Sequence, residues 1–125
     1  MKVLSLKQPY AELILQGRKI IEIRKWNTKF RGDFLIHTSK NPDYEAMERF
    51  GFIDLPLGCI VGRAKLVGVK RYENEAEFDK ERELHLATFS YGSYGFILQG
   101  VKRVGVIPCK GKLGFWDFKG EISVK

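Results

Sequence analysis

One stretch of the chain limits its fold more than any other. Residues 58–72, GCIVGRAKLVGVKRY, make a long, β-branched and apolar run with glycines at positions 62 and 68 inside it. Glycine within a strand gives up side-chain packing, and it marks a bulge or a tight bend. A long strand with two such points suits a small curved sheet of the kind that barrels require.

The other segments read as shorter elements around that strand. Val3 to Lys7 is a short strand, and Pro9 opens a brief helix over PYAELILQG that Gly17 stops. Ala11, Ile14 and Leu15 share the buried side of that helix. Ile20 to Trp26 and Phe34 to Ser39 read as strands by their β-branched content. Between them, Arg31-Gly32-Asp33 reads as a turn entering a strand rather than as an adhesion motif. NPDYEAMERFGF is helical, with Pro42 near its start, Met47 and Phe50 three apart, and Gly51 at its end. NEAEFDKERELHL starts on Asn74-x-x-Glu77 and is mostly a solvated charged face. An aromatic and glycine-rich loop then leads to a strand at Phe96 to Gln99, with one or two final strands after it. The order is β-α-β-β-α-β-α-β-β. It predicts a single α+β domain over residues 1–125, a small, partly closed β-barrel decorated by helices.

A chain of 125 residues buries a core without metal or disulfide staples. No apolar run approaches the roughly 20 residues of a membrane span, and Lys7, Gln8 and Glu12 interrupt the N-terminal segment. A cytoplasmic protein away from membranes is expected. Cys59 and Cys109 match no zinc or C-x-x-C spacing; Cys59, inside an apolar run, reads as a small buried hydrophobe. His37 and His85 are far apart, so neither a metal nor another cofactor is expected. The net charge of +7 favours polyanions as partners.

The segment GRKIIEIRKW, Gly17 to Trp26, concentrates the chemistry. Side chains alternate along a strand, so Glu22, Arg24 and Trp26 share one face and Ile21 and Ile23 the other. With the isoleucines turned into the barrel, an acid, a base and an indole project together. They form either an ordinary solvated face with a surface ion pair or the floor of a binding site.

Several segments together resemble the ASCH family, the activating signal cointegrator homology domains. Gly17-x-Lys19-x-x-Glu22-x-Arg24 is the most specific. Leu4-Ser5-Leu6-Lys7-Gln8-Pro9-Tyr10-Ala11 is similar to the family's opening stretch. RGDFLIHTSK, GCIVGRAKLVGV, YGFIL and KGKLGFW follow in order, so the resemblance runs through nearly the whole chain. It implies a PUA-like β-barrel with flanking helices. It also implies nucleic-acid binding, above all of RNA, in a cleft beside the barrel lined by the motif residues. A bacterial branch of small ASCH proteins hydrolyses acylated cytidine nucleosides with a lysine, a threonine three residues on, and a distant glutamate. Lys19 matches the lysine, but Glu22 stands at the threonine position. Glu73, Glu75, Glu77 and Glu81 compete for the distant acid.

Each candidate has a role that follows from its chemistry. Lys19 is a mobile point charge suited to a phosphate oxygen, and Arg24 a planar fork for a phosphate or a base edge. Glu22 accepts hydrogen bonds from a base amino group or a ribose hydroxyl, or serves as a general base. Trp26 offers a stacking surface for a base. Lys7 and Gln8 precede the first helix, whose N–H groups near Tyr10 and Ala11 would face an anion. Lys40 and the loop tyrosines Tyr91 and Tyr94, of which Tyr94 is counted as a stacking candidate, complete the set. His37 reads as a hydrogen-bonded, non-catalytic histidine, and KGKLGF as a tight turn without phosphate-loop spacing.

The first functional expectation is therefore a module for RNA or another single-stranded nucleic acid. The second is a small hydrolase of a modified nucleoside or of RNA, with Lys19 and Glu22 as its acid-base pair. The third is a protein whose basic face docks an acidic partner. The sequence assigns no oligomeric state.

Overall fold

The computed structural model describes residues 1–123. The long run of residues 58–72 forms β4, Cys59–Arg71, which pairs with an even longer strand, β5, Tyr94–Pro108. Their antiparallel register shifts between Ile60 and Gly62 and again between Leu66 and Gly68. The two glycines thus mark real irregularities, and a third lies between Arg63 and Lys65. Gly62 has a further reason to be glycine. A Cβ there would lie 2.3 Å from Leu15 Cδ2 and 2.9 Å from the Lys102 carbonyl oxygen, so the first helix docks against bare backbone.

Around this pair stand β1 (Lys2–Leu6), β2 (Ile21–Arg24), β3 (Gly32–Thr38) and β6 (Phe115–Asp117). They form one six-stranded sheet in the order β2-β5-β4-β3-β1-β6, with β1 and β3 parallel. The helices are α1 (Tyr10–Leu15), α2 (Tyr44–Arg49), α3 (Glu75–Lys80) and α4 (Arg82–His85), followed by a short 3₁₀ turn at Phe89–Tyr91. The class is mixed α+β and the expected element order holds, with two differences. The charged segment after β4 is two helices broken at Glu81, and the strand expected at Phe96–Gln99 runs on through Gly100 to Pro108.

Among the described residues the sheet is not closed by hydrogen bonds, because β2 and β6 are its two ends and do not pair. The expected, partly closed barrel is thus met only in part, by a sheet that stays open. The ends nonetheless touch through rings. Trp26, just past β2, meets Phe115 of β6 edge to face at 5.9 Å. The sheet therefore curls around an inner core of Leu4, Leu6, Phe34, Ile36, Leu66 and Phe96, against which Trp26 and Phe115 pack.

The faces of β2 are the reverse of those expected. Glu22 lies directly opposite Phe96 in the antiparallel register, and such pairs share a face. Phe96 belongs to the inner core, so Glu22 faces inward. Ile21 and Ile23 face outward, yet they are buried with Tyr10, Leu13, Tyr72 and Phe78 under the helices. The alternation was legible, but its direction depends on a second apolar layer that the local pattern does not reveal. Burial of each isoleucine contributes about 1.5–3 kcal/mol.

Helix α1 buries Tyr10, Ala11, Leu13 and Ile14, whereas Leu15, expected with them, is half-buried against Gly62. Pro9 at its N-cap makes no side-chain cap. Gln8 supplies one from the preceding residue: its Oε1 accepts from the Glu12 N–H at 3.0 Å, and its Nε2 donates to the Pro56 carbonyl at 3.2 Å. Gly17 ends the helical segment at φ +78°, where only glycine is free of strain. In α2, Asp43 rather than Pro42 sets the start by accepting from the Ala46 N–H at 2.9 Å.

Candidate nucleic-acid interface

A cleft of about 990 Å³ opens at one end of the curled sheet, within the size range of small-ligand sites. Its floor is built on β2. Glu22 Oε2 accepts from Arg24 Nη1 at 3.1 Å, and Glu22 Oε1 lies 3.5 Å from Lys19 Nζ. Lys19 is 1% exposed; its ammonium also donates to the His85 carbonyl and sits 5.0 Å from the Tyr10 ring centroid. Burial holds this ammonium below the usual lysine range, against the opposing charge of Glu22. Lys19 is therefore a fixed buried cation, not the mobile one expected. It comes from the segment between α1 and β2, whose backbone is pinned by Leu13.

Arg24 Nη1 also donates to the Ser5 carbonyl at 3.1 Å. Among the described residues none accepts from its Nη2 or Nε, which leaves one edge of the fork unused. Its guanidinium lies 5.6 Å from the Trp26 ring. Trp26 borders the cleft, but it is half-buried and held edge-on against Phe96 at 5.3 Å. An open stacking platform is thus replaced by an indole committed to the seam of the sheet.

Of the residues expected at the site, Lys7, Lys19, Glu22, Arg24, Trp26 and Lys40 line this cleft. Gln8 does not: it is 1% exposed, and both ends of its amide are used in holding α1 and the Pro56 loop. The expected anion site at the start of α1 is closed for the same reason. The Glu12 N–H is taken by Gln8, and the Tyr10 N–H is donated to the Lys7 carbonyl at 3.0 Å. Tyr94 does not line the cleft either; it packs on the inner core. Tyr91 lines the cleft instead, edge-on to Tyr10 at 5.3 Å, with its hydroxyl donated to Asp43. Burial, and then that bond, push the Tyr91 phenol above its usual range.

Other lining residues were not read as site residues. Ser5 alternates with Leu4 and Leu6, a signal of position but not of function. His37 is satisfied as expected, with Nδ1 2.9 Å from Ser5 Oγ and Nε2 2.9 Å from the Cys109 carbonyl, but it borders the cleft. A carbonyl only accepts, so Nε2 carries the proton, and in the neutral ring Nδ1 accepts from Ser5. Lys110 and Lys112 belong to the predicted tight turn, yet they line the cleft as well. The signal available was two lysines flanking a glycine, next to a closing strand.

None of Glu73, Glu75, Glu77 and Glu81 lines the cleft. Glu81 is engaged with Lys70 and the Tyr72 hydroxyl, each at 2.7 Å. Among the described residues lining the cleft, Glu22 is the one carboxylate. Among the described residues no group of three or more His, Cys, Asp or Glu side chains could hold a metal ion. No helix there is long and apolar enough to cross a membrane. Cys59 is buried and Cys109 half-buried, both as free thiols.

Comparison with known proteins agrees with this architecture. The crystal structure of the ASCH protein from Zymomonas mobilis superposes with a TM-score of 0.62 at 16% identity, covering 86% of this chain and 72% of that one. A variant of the same protein superposes at 0.61 with 18% identity and the same coverage. At these identities the likeness speaks for the fold alone. Activating signal cointegrator 1 of Mus musculus is 27% identical over 134 residues, covering 95% of this chain. The chain spans only 22% of that relative's length. The model of the ASCH domain matches residues 4–109, which include the whole floor of the cleft. The chain belongs to the ASCH domain family.

Proposed function

We propose that this chain binds single-stranded RNA in the cleft, in the manner of a PUA-like barrel module. The observation that carries this reading is the charge balance of the site. Its one described carboxylate, Glu22, lies between Lys19 and Arg24, while Lys7, Lys25 and Lys40 stand exposed around it without an ion pair to any other described residue. The site is thus cationic after internal neutralisation, and it leaves a free guanidinium edge for a base or a phosphate. A recess of this kind takes an unstacked base, which single-stranded RNA offers and a duplex does not. Under this reading no cofactor takes part and the RNA is met in the cytoplasm.

The test is binding of mixed-sequence RNA from low to physiological salt. Each phosphate contact contributes about −0.7 to the slope of log affinity against log salt. Absence of binding at low salt overturns the reading. Glu22→Gln is expected to bind as well or better, because a negative charge is removed while Arg24 remains.

One observation favours a second reading, a hydrolase of a modified nucleoside. A buried lysine with a depressed pKa beside a carboxylate is the environment in which acid-base chemistry is set up. Under that reading Glu22→Gln lowers the rate of deacylation of an acylated cytidine by roughly 10²- to 10⁴-fold with binding kept. Turnover through an acyl group trapped on a hydroxyl would contradict the pure-binding reading and the Lys19–Glu22 acid-base mechanism, which forms no covalent intermediate.

A further inference from the structure

The segment from Cys109 to Gly114 joins the end of β5 to β6 and crosses the Ser5–His37 pair. Two independent contacts hold it there. The His37 imidazole donates to the Cys109 carbonyl at 2.9 Å. Gly111 lies so close to the same ring that a Cβ on it would be 2.7 Å from His37 Cε1 and 2.8 Å from Ser5 Oγ. His37 is 2% exposed and, through Ser5, fixed to β1. The loop therefore sits on a rigid pedestal. Lys110 and Lys112, on either side of Gly111, are exposed, line the cleft, and form no ion pair with another described residue.

Lys7 and Lys40 belong to a different part of the rim. They follow β1 and β3, neighbouring parallel strands that end side by side at Leu6 and Thr38. The cleft thus has two cationic arms from separate elements, with the Glu22–Arg24 floor between them. A single nucleotide brings one phosphate group; a strand brings phosphates on both sides of each base.

We infer that the Cys109–Gly114 loop is a second phosphate-contacting arm, positioned by His37, so that the ligand is a continuous strand rather than a mononucleotide. The inference rests on the RNA reading above. His37 acts here as a positioning residue: it holds the loop that carries the lysines and touches no phosphate itself.

The experiment measures the salt slope for short mixed-sequence RNA at one fixed pH for all variants. The variants are Lys110→Gln/Lys112→Gln, His37→Phe, and Gly111→Ala. Loss of two contacts lowers the slope by about 1.4. The double lysine variant is expected to show that drop with unchanged thermal unfolding. His37→Phe and Gly111→Ala are expected to show a drop of the same sign without removing any charged side chain, and His37→Gln, which keeps a donor for Cys109, to recover part of it. A purely structural role for His37 would change stability and leave the slope of the folded protein intact. Wild-type binding with an unchanged slope in the double lysine variant overturns the second arm alone. A drop in that variant with none in His37→Phe or Gly111→Ala overturns the positioning role. No binding by the wild type removes the RNA reading itself, and this inference with it.

Discussion

Lys19 and Lys7 border the same cleft, and they are held in opposite ways. Lys19 is 1% exposed and spends its ammonium on Glu22 and the His85 carbonyl. Lys7 stands in solvent with no ion-pair partner among the described residues. The buried cation is paid for by internal partners and fixes where Glu22 points. The exposed one has its side chain in solvent, outside any described ion pair. A count of positive charges along the sequence treats the two alike; the structure separates a framework cation from an exposed one with no described ion-pair partner.

The sharpest way to break this contrast is to remove Lys19. Lys19→Met leaves the His85 carbonyl without its donor and Glu22 with Arg24 alone, and the expected loss is about 3 kcal/mol in urea unfolding. The pair Lys19→Met/Glu22→Leu should recover most of that loss, because a buried ion pair replaced whole by apolar groups is often neutral. If the single variant unfolds like the wild type, Lys19 is not a framework cation.

A smaller effect follows from pH. The folded pKa of Lys19 lies below its ordinary value of 10.5, because burial penalises the charge. Between that lowered value and 10.5 the unfolded chain holds a proton that the folded chain has shed, so this group makes stability rise with pH. Tyr72 and Tyr91 also titrate at high pH, with pKa values raised first by burial. The measurement is therefore the difference between wild type and Lys19→Met across alkaline pH. A flat difference would mean that Lys19 titrates as if in water.

The smallest expected effect on the fold is at the rim. Lys7→Gln and Lys40→Gln should each alter stability by less than about 0.5 kcal/mol, while lowering the RNA salt slope by about 0.7. A rim variant that destabilised the fold and left the slope alone would invert the comparison.

The same division explains what could be read in advance. The bulges at Gly62 and Gly68 were legible because glycine inside an apolar β-run has few other uses. The sharing of one face by Glu22, Arg24 and Trp26 was legible because strand periodicity is local. Which way that face pointed was not, since it depends on Phe78, from a distant helix, joining Leu13 of the preceding one to cover Ile21 and Ile23. Gln8 looked like a binding residue because it precedes a helix, but the missing cap at Pro9 required it elsewhere. Lys110 and Lys112 were set aside because no local rule places a turn over Ser5 and His37, more than seventy residues earlier in the chain.

The join between Trp26 and Phe115 has a mechanical meaning. A hydrogen-bonded ladder resists shear, since each bond must break before strands can slide. Rings packed edge to face with their centroids 5.9 Å apart resist it far less, because their attraction changes gradually with offset. The curl of this sheet is therefore stiff along the β4–β5 ladder and compliant at one line, next to the strand that bears Glu22 and Arg24. For the RNA reading proposed above, that line is where the cleft would widen to admit a base while the sheet hydrogen bonds stay intact.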